Sequence, residues 1–152
     1  KLWHTVDEKL ILTVIGSGEI EEGLKSKYNK SNIIFKGKCS REKTLKSISK
    51  AKYLIQPSVL YETFGLTIIE AMSFGVPVIG FDIGTRGDFI QNGINGFLTN
   101  KTDLKEVIEK SLYYEEYDSL SKNAIETAKL YENEYIIKKQ IEIYEKIVEN
   151  KI

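Results

Sequence analysis

Apolar residues fall into short unbroken runs separated by longer stretches in which they recur every three or four positions. Five runs, Leu10–Ile15, Ile33–Phe35, Tyr53–Gln56, Pro77–Phe81 and Phe97–Thr99, have the length and β-branched content of buried strands. Between them the pattern is helical. Glu19–Tyr28 carries acids in its first turn and spaces Ile20, Leu24 and Tyr28 onto one face, and Ser40 stands as the cap of a helix with Leu45 and Ile48 or Ser49 inward. A third helix follows Gly65 and runs through Ser73, with Gly75 near its C-cap. Gly84, Gly87, Gly93 and Gly96 then punctuate a turn-rich segment around Phe89-Ile90.

From Thr102, the expected cap of the next helix, everything reads as helical. One stripe is Leu104, Val107, Ile108 and Leu112, a second Leu120, Ala124, Thr127 and Ala128, and a third Ile137, Ile141, Tyr144 and Val148. These stripes either carpet a sheet or reach toward something outside the sequence. Strands alternating with helices predict right-handed βαβ crossovers and a parallel α/β sheet covered on both faces. At 152 residues, without a linker, a low-complexity tract or an internal repeat, one domain over residues 1–152 accounts for the chain.

Composition narrows the partners. Lys plus Arg (22) equals Asp plus Glu (22), so no net field draws the chain to nucleic acid or to an anionic membrane. Cys39, the one cysteine, has no internal disulfide partner and suits a reducing, cytoplasmic compartment. No apolar run has bilayer length, and Lys1-Leu2-Trp3-His4-Thr5 lacks the layout of a secretory signal. The chain opens without Met in what reads as a helix end, as a piece of a longer protein would.

Candidate chemistry concentrates between Gln56 and Phe81, which holds both prolines, Pro57 and Pro77, and two carboxylates, Glu62 and Glu70, on either side of Phe64-Gly65-Leu66. Ligands of open parallel sheets bind beyond the carboxyl ends of the strands. Three strand exits there are small or glycine-bearing: Gly16-Ser17-Gly18, Lys36-Gly37-Lys38 and the Pro57–Gly65 turn. A glycine ahead of a helix lets a ligand approach the backbone, and the amides of Gly65, Leu66 and Thr67 favour an anion such as phosphate. Glu70, one turn into the helix, suits a vicinal diol; Glu62, in the loop, can point across a cleft. The competing reading makes both glutamates solvated surface acids, and spacing alone leaves the two readings even. His4, the sole histidine, reads as a surface residue. Arg86 and Asp88 pair with each other or orient the site, with a structural role preferred. Tyr61 and Phe64 flank the loop as possible stacking groups, Phe64 fitting a core role equally well. No metal-ligand spacing, P-loop or complete dinucleotide fingerprint occurs.

At Pro57-Ser58, Glu62-Thr63-Phe64-Gly65-Leu66, Glu70-Ala71-Met72 and Gly75-Val76-Pro77-Val78 the chain resembles the C-terminal, donor-binding domain of family-4 retaining glycosyltransferases. The likeness continues through Val14-Ile15-Gly16-Ser17-Gly18-Glu19, Phe35-Lys36-Gly37, Asn92–Leu98 and a final helix at Gln140–Tyr144. It implies a Rossmann-like parallel sheet with helices on both faces, the C-terminal half of the two-domain GT-B fold.

By the same resemblance, Glu70 holds the nucleotide ribose and Glu62 meets the transferred sugar as the catalytic residue, positioning it and stabilising charge. Phe64, Gly65, Leu66 and Thr67 face sugar and diphosphate, the Lys36-Gly37-Lys38 exit borders the base, and Gly16 and Lys38 belong to the implied substrate-binding residues. The implied activity moves a sugar, with retention, from a nucleotide-sugar, a UDP-sugar being expected. The acceptor is a glycan or lipid-linked molecule of bacterial surface-polysaccharide synthesis, held mainly by an N-terminal domain. No cofactor is implied: the nucleotide-sugar is a co-substrate and transfer is metal-independent. The implied setting is cytoplasmic, with peripheral association at the inner face of the membrane left open.

The family's first C-terminal-domain strand, bearing a diphosphate-clamping Arg and Lys, would precede Lys1. The fragment alone is therefore expected to bind nucleotide weakly and to be inactive. Asp88 stands where many relatives carry Glu. A non-catalytic nucleotide-binding module is the main alternative; a receiver-like or flavodoxin-like domain would need an acidic pocket or flavin loops, which the strand ends lack.

Overall fold

The computed structural model describes residues 10–61 and 64–149. Five parallel strands alternate with helices: β1 (Leu12–Val14), α1 (Glu21–Lys27), β2 (Ile33–Phe35), α2 (Arg41–Ile48), β3 (Leu54–Gln56), α3 (Leu66–Ser73), β4 (Val78–Phe81), α4 (Arg86–Phe89) and β5 (Gly96–Thr99). Three helices follow, α5 (Leu104–Leu112), α6 (Tyr117–Lys129) and α7 (Asn133–Glu149). The expected strands all form: β1, β3 and β4 are trimmed to their paired residues, β2 keeps its expected bounds, and β5 gains Gly96.

β4 lies between β3 and β5 and is buried at every position, which its unbroken apolar run requires of a strand covered on both faces. Its side chains alternate between two cores. Val78 packs with Ile68, Ala71 and Met72 of α3 and Ala124 and Ala128 of α6, while Ile79 and Phe81 pack with Leu104 and Ile108 of α5. Helices thus cover both faces, as the periodicity predicts.

Among the described residues the strands form two ladders, β1-β2 and β3-β4-β5, rather than the single expected sheet. On the doubly wound order 3-2-1-4-5-6 the two ladders would take positions 3-2 and 4-5-6, and no strand of the described residues takes the position between β1 and β3.

Local chemistry corrects several element ends. Ile20 is the N-cap of α1 and 71% exposed, so it does not share a buried face with Leu24 and Tyr28. Ser40 caps α2 as expected, its hydroxyl accepting from the Lys43 amide at 3.4 Å, and Ile48 rather than Ser49 turns inward. Asn100, not Thr102, organises the start of α5: its side-chain oxygen accepts from the amides of Thr102 (2.8 Å) and Asp103 (3.0 Å), satisfying donors a helix start leaves over. The turn-rich segment contains a short helix, α4, unforeseen because Gly87 sits in its middle. The third stripe carpets nothing: α7 has no buried residue, and Ile137, Ile141, Tyr144 and Val148 are exposed.

Candidate functional site

α3 follows β3 through a loop and begins at a left-handed glycine. Gly65, its N-cap, has φ 66° and ψ 46°, a conformation that a Cβ would disfavour, and its carbonyl accepts from the Ile68 amide at 2.8 Å. The amides of Leu66 and Thr67 lie in the first turn, where a helix supplies no acceptor of its own. Leu66 is 67% exposed and Thr67 is also exposed, so this helix start opens to solvent.

Glu70 lies on the next turn of α3, half-buried, and its Oε1 accepts from Arg41 Nη2 at 2.5 Å. Arg41 is the first residue of α2, directly after the β2 exit, so the ion pair joins the two strand-exit regions across the break between the ladders. One bond to Arg41 orients the carboxylate while its remaining lone pairs can still accept from a diol. Sequence reasoning missed Arg41: a contact between residues 29 apart leaves no periodic signal.

The other exits are tied together by backbone. The Gly16 amide donates to the Gly37 carbonyl at 2.8 Å, Gly16 has φ 132°, and no atom lies within 4 Å of where its Cβ would be. Gly16 and Lys38 therefore sit on adjacent loops, Lys38 exposed, while Lys36 turns aside to donate to Ser47 Oγ at 3.1 Å. Phe64 packs edge-on against Phe89 (5.5 Å) and Tyr131 (5.9 Å) and keeps 40% of its surface exposed, whereas Tyr61 is 83% exposed. Burial first, then the nearby Asp88 carboxylate, raises the Tyr131 hydroxyl pKa. Glu62, and with it Thr63, lies outside the described residues, as does His4.

Arg86 and Asp88 do not pair in the expected manner. Arg86 is completely buried and donates to backbone carbonyls of Ser58 (2.9 Å), Leu60 (3.2 Å) and Phe81 (3.5 Å), while Asp88 is exposed. Asn95, also fully buried, donates to the Phe89 carbonyl (2.9 Å) and Thr127 Oγ1 (2.8 Å) and accepts from the Gln91 amide (2.8 Å), fixing the turn-rich segment to α6. A cleft lined by Val59, Asp82, Asn100, Lys101 and Asp103 opens beyond the carboxyl ends of β4 and β5. The groove along α7 is that helix's own surface and carries none of the residues above. Among the described residues no group of three or more His, Cys, Asp or Glu is placed to hold a metal ion, and no helix is long and apolar enough to cross a membrane.

The family model "Glycosyl transferases group 1" matches residues 1–131. N-acetyl-alpha-D-glucosaminyl L-malate synthase of Bacillus anthracis is 30% identical over 85% of this chain and 34% of its own length. Sucrose synthase of Thermosynechococcus vestitus is 40% identical over 47% of this chain and 10% of its own. The solved structure of Anabaena HepE in complex with UDP superimposes with a TM-score of 0.77 at 20% identity, over 94% of this chain and 42% of that one. The chain thus spans less than half the length of these relatives.

Proposed function

The chain belongs to the glycosyl transferases group 1 family, and from that membership we propose that it is the donor-binding domain of a retaining glycosyltransferase built from two Rossmann-like domains. The observation that carries the proposal is the convergence at α3: a left-handed Gly65 opens a solvent-facing helix start, and Glu70, one turn on, is oriented by Arg41 beside the β2 exit. First-turn amides suit a diphosphate and an oriented carboxylate suits ribose hydroxyls. Glu70 is assigned to the ribose. Phe64, Gly65, Leu66 and Thr67 face sugar and diphosphate, with Gly16 and Lys38 at the border of the donor. Glu62, next along the loop from Tyr61, is assigned to the transferred sugar, where it positions the ring and stabilises developing charge.

A UDP-sugar is the favoured donor, since the HepE neighbour was solved with UDP. The acceptor is assigned to a glycan or lipid-linked molecule held mainly by the rest of a longer protein, in bacterial surface-polysaccharide synthesis on the cytoplasmic side. No metal is invoked, because amides and cationic side chains can meet the charge of a departing diphosphate. The 152 residues by themselves are proposed to bind nucleotide weakly and to be inactive.

The test is a donor screen on the full-length protein with UDP-glucose, UDP-N-acetylglucosamine, UDP-galactose and GDP-mannose, following nucleotide release. Glu62→Gln should lower transfer by about 100-fold or more while UDP binding stays near wild type, as expected for a group acting mainly on the transition state. Glu70→Gln should weaken UDP binding. Wild-type transfer by Glu62→Gln rejects the catalytic role of Glu62, and no release from any donor favours a nucleotide-binding module without catalysis.

A further inference from the structure

The loop from Pro57 to Tyr61 has no apolar anchor of its own. Val59, Leu60 and Tyr61 are 63%, 72% and 83% exposed, an arrangement in which burial of side chains does little to fix the backbone. Among the described residues its polar bonds come from two sources. The Leu60 amide donates to the Ser58 hydroxyl at 3.2 Å, a contact within the loop itself. The other source is Arg86, whose Nη1 and Nη2 reach the carbonyls of Ser58 and Leu60 from beneath.

Arg86 is held independently of that loop. It is the first residue of α4, and its side chain lies beside β4 next to Gly80, where an added Cβ would stand 3.6 Å from Arg86 Cδ and 3.2 Å from Ile90 Cδ1. Its Nη1 also lies 3.5 Å from the carbonyl of Phe81, at the end of β4. A planar guanidinium presents donors at fixed angles, so it can hold two carbonyls of one loop in a defined relation, which a lysine ammonium does less well. Burying so polar a group is costly unless its donors are used, and two of its nitrogens are spent on this loop, whose one other polar bond among the described residues is internal to it.

We propose that Arg86 is a positioning residue for sugar transfer: its buried guanidinium sets the course of the 58–61 backbone that leads into Glu62. The inference rests on the assignment of Glu62 made above. Arg86 touches neither sugar nor nucleotide in this role; it acts through the loop. A displacement of about 1 Å in a positioned group can lower a rate about 100-fold, so loosening this loop should lower kcat and leave the nucleotide-anchoring half of the site, Glu70 with α3, little changed.

The test uses the full-length protein, the donor panel named above and UDP as the binding probe, with Arg86→Gln, Arg86→Lys, Glu62→Gln and the double variant Arg86→Lys/Glu62→Gln. Expected are a kcat about 10–100-fold lower for Arg86→Gln, a smaller loss for Arg86→Lys, and a UDP Kd within about threefold of wild type in both. Arg86→Lys should add almost nothing to the loss caused by Glu62→Gln, since residues acting as one unit are strongly non-additive. A merely structural Arg86 would instead lower kcat and UDP affinity together, or act additively with Glu62→Gln, and either result overturns the proposal. So does wild-type kcat in both Arg86 variants, or failure of both to fold. If Glu62→Gln itself retains wild-type transfer, the assignment of Glu62 fails, a result separable from intact kcat in the Arg86 variants alone.

Discussion

At Gly96 the backbone of β5 passes so close to β4 that an added Cβ would meet the Val78 carbonyl oxygen at 2.4 Å and Ile90 Cγ2 at 3.1 Å. The carbonyl belongs to the buried central strand and cannot swing aside as a flexible side chain would. Gly96→Ala should therefore cost about 1–3 kcal/mol, as over-packing in a close-packed core does, measurable as a lower urea midpoint; an unchanged midpoint would show that the two strands separate freely. Sequence marked Gly96 only as one turn glycine among four, because a backbone approach between strands 18 residues apart is not a local signal. Asn95 was hidden for the same reason: a loop Asn and a fully buried Asn bonded to α6 look alike until α6 is in place. Gly65 was legible, since the left-handed start of α3 is a local requirement that its neighbours announce. Arg86 was legible as a residue of interest but not in its contacts with the carbonyls of Ser58, Leu60 and Phe81.

Elements were the most readable level. Continuous apolar runs located all five strands, and the stripes of α5 and α6 fall on residues that are buried, Leu104 and Ile108, then Leu120, Ala124 and Ala128. The failures have physical causes. α4 is a single turn held by contacts to its surroundings, and at the start of α5 the amides of Thr102 and Asp103 are satisfied by the Asn100 side chain and that of Leu104 by the Asn100 carbonyl. α7 shows the limit of periodicity itself: its stripe is regular, yet only Ile136 is half-buried and every residue from Ile137 to Glu149 is exposed. Amphipathic spacing announces a face suited to burial, not the presence of something to bury it. Ile137→Asp with Ile141→Asp should accordingly change the stability of this chain by no more than about 0.5 kcal/mol per site, the ordinary range for exposed positions. A loss above ~2 kcal/mol, the cost of emptying a core position, would mean that α7 packs on the domain in solution.

For the whole molecule, the βαβ alternation foretold parallel strands with helices on both faces, but the division into two ladders was beyond it. Alternation along a chain does not say which strands are neighbours, and only a pairing map reveals that β1 and β3 each pair on one side among the described residues. Arg41 and Glu70 bridge the two halves through an ion pair whose arginine is 76% exposed, a linkage of the kind worth little on its own. The firmer link between the halves is apolar: Ile48 of α2 is buried in the same core as Ile68, Ala71 and Met72 of α3.

The break between the ladders also has a signature in time rather than in space. In parallel pairs, alternate residues direct their amides to opposite sides of the strand. Leu12 donates to the Asn32 carbonyl and Leu54 to the Pro77 carbonyl, so the intervening amides of Thr13 and Ile55 point away from β2 and β4, to the side on which neither strand has a partner among the described residues. Exchange with deuterium should therefore be fast at Thr13 and Ile55 and slower at Leu12 and Leu54, within strands only three residues long. Equal protection at all four would show that the position is filled in solution.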